Sequence, residues 1–127
     1  GAAEEDLPRN LCPLIKSSYG FGKTDKCPYF YFSDLVVGET TCDGKKKMYE
    51  YLGEIKPVHV MQLPNTQIGD DAFTLWKNEI KRLKTVLEDQ FQTTITDEAI
   101  KEAIVLKNKE RNFLYRMLML LLSPSYS

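Results

Sequence analysis

Two short apolar runs, DLVVG at residues 34–38 and VHVMQL at 58–63, constrain this chain more than any other feature. Both are too short for a buried helix, rich in valine and closed by Gly38 or Pro64, so each predicts a strand. Thr40, Thr41 and Cys42 form the exit of the first. Asp43 and Gly44 then open a helix whose apolar face is Met48, Tyr49 and Leu52, with Gly53 near its end. Strand, helix and strand at this spacing predict a right-handed βαβ unit with the two strands parallel. The expected fold class is therefore α/β, a partial Rossmann-like parallel sheet of one βαβ unit, followed by two long helices.

The flanking segments carry weaker signals. Residues 1–9 read as a flexible lead-in that ends at Pro8. Asn10 is placed to cap a short helix over residues 11–16, with Pro13 tolerated in its first turn. Residues 17–28, rich in Gly, Ser, Lys and Asp, read as an ordered loop, and the aromatic run from 29 leads into the first strand. Beyond Pro64 the pattern is helical. Asp70 and Asp71 open a long helix on which Phe73, Trp76, Ile80, Leu83, Leu87 and Phe91 recur at three- and four-residue steps, an expected core stripe. Thr96 caps the last helix, with Ile95 and Ile100 at the positions of a hydrophobic staple. That helix has a polar middle, residues 107–112, and an almost wholly apolar end, FLYRMLMLLL. Either this end packs on the 70–91 helix or further protein covers it. Two strands also make a small sheet for an α/β domain. The chain thus divides at residues 1–66 and 67–127, and is expected to be a piece of one larger subunit.

The totals exclude some classes of function. The chain has 127 residues and a net charge of -1, with Lys and Arg interleaved among acids, so no nucleic-acid or acidic membrane surface is expected as partner. The acidic start GAAEEDLP has no apolar signal region. The longest apolar run, residues 113–122, is broken by Arg116 and falls far short of the roughly 20 residues of a membrane span. A cytoplasmic protein is expected.

Chemistry rests on three cysteines, Cys12, Cys27 and Cys42, fifteen positions apart each time. An odd count argues against a disulfide framework, leaving buried structural thiols, a metal site or a reactive thiol. Cys42 lies at the carboxyl end of a parallel strand and at the start of a helix, where open α/β sheets bind ligands. The helix N-terminus and Lys45, Lys46 and Lys47 favour the thiolate that binds metal, and Cys12, in the first turn of its helix, has the same advantage. A closed zinc site needs four ligands, and Cys12, Cys27, Cys42 and His59 supply them if the fold brings them together. His59, however, lies within an apolar strand, where a core role is the plainer reading. The segment SSYGFGKT, residues 17–24, ends like a phosphate-binding loop, but Ser17 stands where the pattern needs glycine and no strand precedes it. A nucleotide-binding module is therefore the third alternative. With a single histidine, no Ser/His/Asp or Cys/His set is available.

The segment LPRNLCPLIKSSYGFGKTDKCPYFYFSDLVVGETTCDGKKKMYEYL, residues 7–52, resembles the N-terminal part of D-component subunits of the 2-hydroxyacyl-CoA dehydratase family, including its double-cubane cluster branch. The likeness continues through KPVHVMQLPN, residues 56–65, and more loosely through the two long helices; ETTCDGKKKMYE is its most specific stretch. The resemblance implies a cytoplasmic, oxygen-sensitive iron–sulfur subunit bearing a 4Fe–4S or double-cubane cluster. It implies a separate ATP-dependent iron–sulfur activator, a second subunit or homodimer, and an acyl-CoA or small-molecule substrate. The chemistry implied is 2-hydroxyacyl-CoA dehydration or double-cubane reduction of small molecules. Carried over by position, Cys12 in NLCPLIKSS and Cys42 in TTCDGKKK are the expected ligands, Cys27 in DKCPYF a less certain one. Residues 1–66 become the cluster-binding segment. A third family ligand lies in a C-terminal domain, so this chain is expected to be inactive alone.

Overall fold

The computed structural model describes residues 1–122. The order of elements is a 3₁₀ turn at Ala2–Glu5, then α1 (Pro13–Lys23), α2 (Pro28–Phe32), β1 (Val36–Glu39), α3 (Asp43–Gly53), β2 (Val58–Met61), α4 (Asp70–Phe91) and α5 (Asp97–Leu121). The strands pair in parallel, with Val36 opposite Val58, Val37 opposite His59, Gly38 opposite Val60 and Glu39 opposite Met61. The expected α/β class, with one strand–helix–strand unit and two long helices after it, is the observed one. Gly38 is required at its place. The ring of Tyr49 on α3 lies directly over it, so that a β-carbon there would meet Tyr49 Cζ (its position falls closer than any real contact).

Three local expectations are corrected. Residues 1–9 are no flexible lead-in: Ala3 and Leu7 are buried in the core with Ile15, Tyr19, Met48 and Leu52. Salt bridges from Lys16 to Glu4 (3.0 Å) and from Lys23 to Asp6 (2.7 Å) hold the segment against α1. Residues 17–23 are no loop either, since α1 runs on to Lys23 with Thr24 as its C-cap. Its glycines serve packing. A β-carbon at Gly20 would touch that of Ala3 at 3.4 Å, and one at Gly22 would press on Leu52 Cδ2 at 3.2 Å. Glycine costs roughly 1 kcal/mol against alanine inside a helix, and close approach of neighbouring elements offsets that cost here. Finally, the aromatic run after residue 28 is helical. Pro28 occupies the first turn of α2 and Cys27 caps it, while Lys56 Nζ donates to the carbonyls of Tyr31 (2.6 Å) and Ser33 (2.7 Å) at its far end.

The outer edge of β2 is closed by side chains of α4. Glu79 Oε2 accepts from Gln62 N at 2.8 Å, and Arg82 donates to Val60 O at 2.5 Å and to Glu79 Oε2 at 2.7 Å. A residue of a neighbouring parallel strand would offer the same acceptor and donor to this pair of groups. This explains why Ala72 and Glu79 are the buried residues of α4. The stripe expected as core is turned outward instead, with Phe73 69% exposed and Trp76 and Ile80 exposed as well. The helix docks through Ala72 together with the Glu79–Arg82 pair, with Leu75 and Leu83 half-buried.

The chain forms two compact units, Gly1–Val86 and the residues from Leu87 onward. In the second, Thr96 caps α5 as expected, its hydroxyl oxygen accepting from Ala99 N at 3.1 Å. Glu88 Oε1 accepts from Ile95 N at 2.7 Å, fixing the turn before it. No residue of α5 is buried. No described helix is long and apolar enough to cross a membrane.

Candidate metal-binding site

The three cysteines hold one structural position three times over. Cys12 is the N-cap of α1, Cys27 of α2 and Cys42 of α3. All three are free thiols, with Cys12 and Cys42 exposed and Cys27 half-buried. An N-cap side chain ordinarily accepts a hydrogen bond from the second or third backbone N–H of its helix. Cys27 does so, its Sγ accepting from Phe30 N at 3.4 Å. Neither Cys12 nor Cys42 makes such a bond. Their sulfurs are left available at the ends of helices that carry partial positive charge.

The first and third caps belong to helices that touch near Gly44. Cys42 follows the carboxyl end of β1 by three residues, and Thr40 N donates to Met61 O at 3.1 Å, tying the ends of both strands together. A polar cleft of about 400 Å³ opens there, lined by Thr40, Lys46, Gln62, Leu63, Asn65 and Leu75. α1 packs across the start of α3. A β-carbon at Gly44 would lie 2.7 Å from Ile15 Cδ1 and 3.0 Å from Leu11 Cδ1. Leu11 adjoins Cys12 and Gly44 lies two positions after Cys42, so the two caps flank one contact.

The other expected donors stand apart from this pair. Cys27 lines a groove of about 550 Å³ with Val36, Val37, Met48 and Leu52, a mostly apolar setting. His59 is paired within the sheet opposite Val37. Its Nε2 is buried without a hydrogen-bond partner; burial, and then the Arg82 charge, hold its pKa below the usual value. Among the described residues no three of His, Cys, Asp and Glu gather as a metal-holding group. The four-ligand zinc set of Cys12, Cys27, Cys42 and His59 is therefore not assembled. The nucleotide reading fails for a separate reason. The backbone of residues 17–23 is wound into α1, so it forms no phosphate-cradling loop.

Lys45, Lys46 and Lys47 follow Cys42 on the first turns of α3, and two of them are paired within the helix. Lys46 meets Asp43 at 3.0 Å and Lys47 meets Glu50 at 2.5 Å. The bond to Glu50 raises the Lys47 pKa above its usual value. These lysines are a solvated helix face with positive charge close to the third cap. As a donor set, two exposed thiols with unspent sulfurs suit a thiophilic metal or an iron–sulfur cluster.

Sequence reasoning missed the recurrence of the cap position. The signal was present, since Cys12 and Cys27 each precede a proline and Cys42 precedes Asp-Gly. Proline favours the first helical turn, and the residue before it is driven out of helical conformation, as a cap is.

Comparison with known proteins gives the family of the chain. The chain is 70% identical over 112 residues, 88% of its length, to the Escherichia coli (strain K12) protein named "Putative dehydratase subunit YjiM". The match spans 29% of that protein's length. The family model described as 2-hydroxyglutaryl-CoA dehydratase, D-component, matches residues 1–126. This chain belongs to the 2-hydroxyglutaryl-CoA dehydratase D-component family.

Proposed function

We propose that this chain is the cluster-bearing lobe of a dehydratase subunit, in which Cys12 and Cys42 supply two thiolate ligands to an iron–sulfur cluster. The observation that carries this reading is the contrast among the caps. Cys27 spends its sulfur on its own helix, whereas Cys12 and Cys42 do not, and the helices they cap touch at Gly44. The remaining ligands come from protein outside these residues, consistent with a relative of which the match spans 29%. A cluster bound there, 4Fe–4S or double-cubane in type, supplies single-electron chemistry at low potential.

The chain's own groups have defined parts in this reading. The N-termini of α1 and α3 face the thiolates with unpaired backbone N–H groups, which offset negative charge. The lysines after Cys42 add to the positive field. The core beneath, built on Ile15, Tyr19, Met48 and Leu52, fixes the two helices so that the thiols do not drift. The relative's name and the family's description together favour dehydration of a 2-hydroxyacyl-CoA over reduction of a small molecule. An ATP-dependent iron–sulfur activator delivers the electron, and a second subunit, identical or different, completes the enzyme.

The test is iron and acid-labile sulfide analysis of a full-length subunit containing this lobe, purified without oxygen. The expected preparation is brown, with about four irons per cubane. Cys12→Ala and Cys42→Ala each lose most of that iron, and Cys27→Ala keeps it. A colourless, iron-free parent protein sinks the assignment.

A further inference from the structure

We propose that Gly44 is a positioning residue of this centre, whose missing side chain sets the spacing between the Cys12 and Cys42 thiols. The inference rests on the cluster reading above, but its geometry stands independently. Gly44 is the second residue of α3, following Asp43 and the Cys42 cap. Its Cα faces α1 so closely that a β-carbon would come within 2.7 Å of Ile15 Cδ1 and 3.0 Å of Leu11 Cδ1. Real β-carbon contacts are essentially never that short, so one of the three residues must move if a methyl is added.

Ile15 has little room to yield. It is 5% exposed and belongs to the buried cluster of Ala3, Leu7, Tyr19, Met48 and Leu52. The atom struck, Cδ1, turns about the second torsion, and the packing of that cluster is what opposes its rotation. Leu11, next to the cap, is packed against the same cluster, which opposes rotation of its Cδ1 as well. Whatever side-chain rotation does not relieve is relieved by separating the starts of α1 and α3, which are the segments bearing the two thiols. Nothing about backbone conformation requires glycine at this place, since its φ lies outside the left-handed region. Gly53, at the other end of the same helix, has nothing within 4 Å of its would-be β-carbon. That contrast makes it an internal control for helix propensity.

The experiment reads thiol spacing without any cluster. In the 127-residue chain carrying Cys27→Ser, which keeps a capping group on α2 and leaves two thiols, phenylarsine oxide binds as a dithiol clamp. The clamp requires both sulfurs to reach one arsenic atom. The expected result is one equivalent captured by the Cys27→Ser protein, with affinity lowered about tenfold by Gly44→Ala and further by Gly44→Val. Gly53→Ala leaves capture unchanged. Ile15→Val removes the methyl that Gly44→Ala strikes, so the double variant recovers capture. That recovery would not follow from a general loss of folding.

Failure of the Cys27→Ser parent to capture the reagent overturns the proposal. So does a folded Gly44→Ala protein that captures as the parent does, or a double variant no better than Gly44→Ala. Should Gly44→Val not fold, the alanine variant and its Ile15→Val partner decide the matter. An iron-free full-length subunit would count against the cluster reading alone and leave the measured thiol spacing intact.

Discussion

The sulfur atoms of this chain differ in what their surroundings ask of them. Cys27 Sγ is 3.4 Å from Phe30 N and half-buried, a small structural cap on a five-residue helix. Replacing it with alanine removes the acceptor and costs about 0.5–1 kcal/mol, while serine restores a better one. Urea unfolding of Cys27→Ala and Cys27→Ser, compared at equal slope, reads this difference. A parent-like Cys27→Ala would show that the sulfur contributes nothing as a cap. Gly38 poses the opposite problem, since the Tyr49 ring fills the space above it. Gly38→Ala overpacks that contact and is expected to destabilise by about 1–3 kcal/mol. Tyr49→Leu in the same chain should recover much of the loss. The cap at Cys27 is written in the proline that follows it, whereas the demand at Gly38 is not written locally, since a glycine in a valine-rich strand reads only as a strand end.

At the scale of elements, the N-terminal segment makes the most specific case. Its acids are held by α1. The Lys16 hydrogen bond, helped by the N-terminal ammonium, brings Glu4 down to about 2. Lys23, then the Tyr19 hydroxyl, lower Asp6. Groups with depressed folded pKa values stabilise above their unfolded values near 4, and that contribution is lost as pH falls through the folded values. The opposite sign holds at high pH. Burial, then the bond to Asp6, push Tyr19 up to about 12, and Asp6 raises Lys23. Their contribution is complete below about 10 and disappears as pH rises through the raised values. The protection factor of the Leu7 amide, whose N–H is bonded to Ala3 O at 2.9 Å, should therefore fall on acidification from about pH 4 toward 2, and again above about 10. Lys23→Met should shift the acid limb upward. An unchanged protection factor across both limbs would show that burial of Ala3 and Leu7 suffices. The same segment marks where the sequence became illegible. The strand–helix–strand core announced itself because Gly and Pro bound each strand and Met48 and Leu52 recur at helical spacing. The extent of α1 did not, because Gly20 and Gly22 signal a loop locally, and the residues they pack against lie far away in sequence. The Phe73 stripe misled for a related reason. Periodicity locates an apolar face, but Glu79 and Arg82 decide which face meets the sheet.

For the molecule as a whole, two sorts of surface coexist. Gly1–Val86 encloses a small core, while α5 spans twenty-five residues with none of them buried. Its Phe113 is 68% exposed and its Leu121 71%, with Leu114, Met117 and Leu118 exposed between them. Apolar area on that scale binds hydrophobic dyes and promotes association when nothing lies over it. The isolated 127-residue chain should therefore enhance the fluorescence of an anilinonaphthalene dye and sediment with concentration-dependent mass. Changing Phe113, Leu114 and Leu118 together to lysine should abolish most of both effects. The core of Gly1–Val86 should not notice, because substitutions at exposed positions shift stability by no more than about 0.5 kcal/mol. Its denaturant midpoint, followed through Tyr19 and its neighbours, is the control. A triple variant that loses that midpoint would mean the apolar end of α5 supports the core, and the exposed surface would then have to be read as structural.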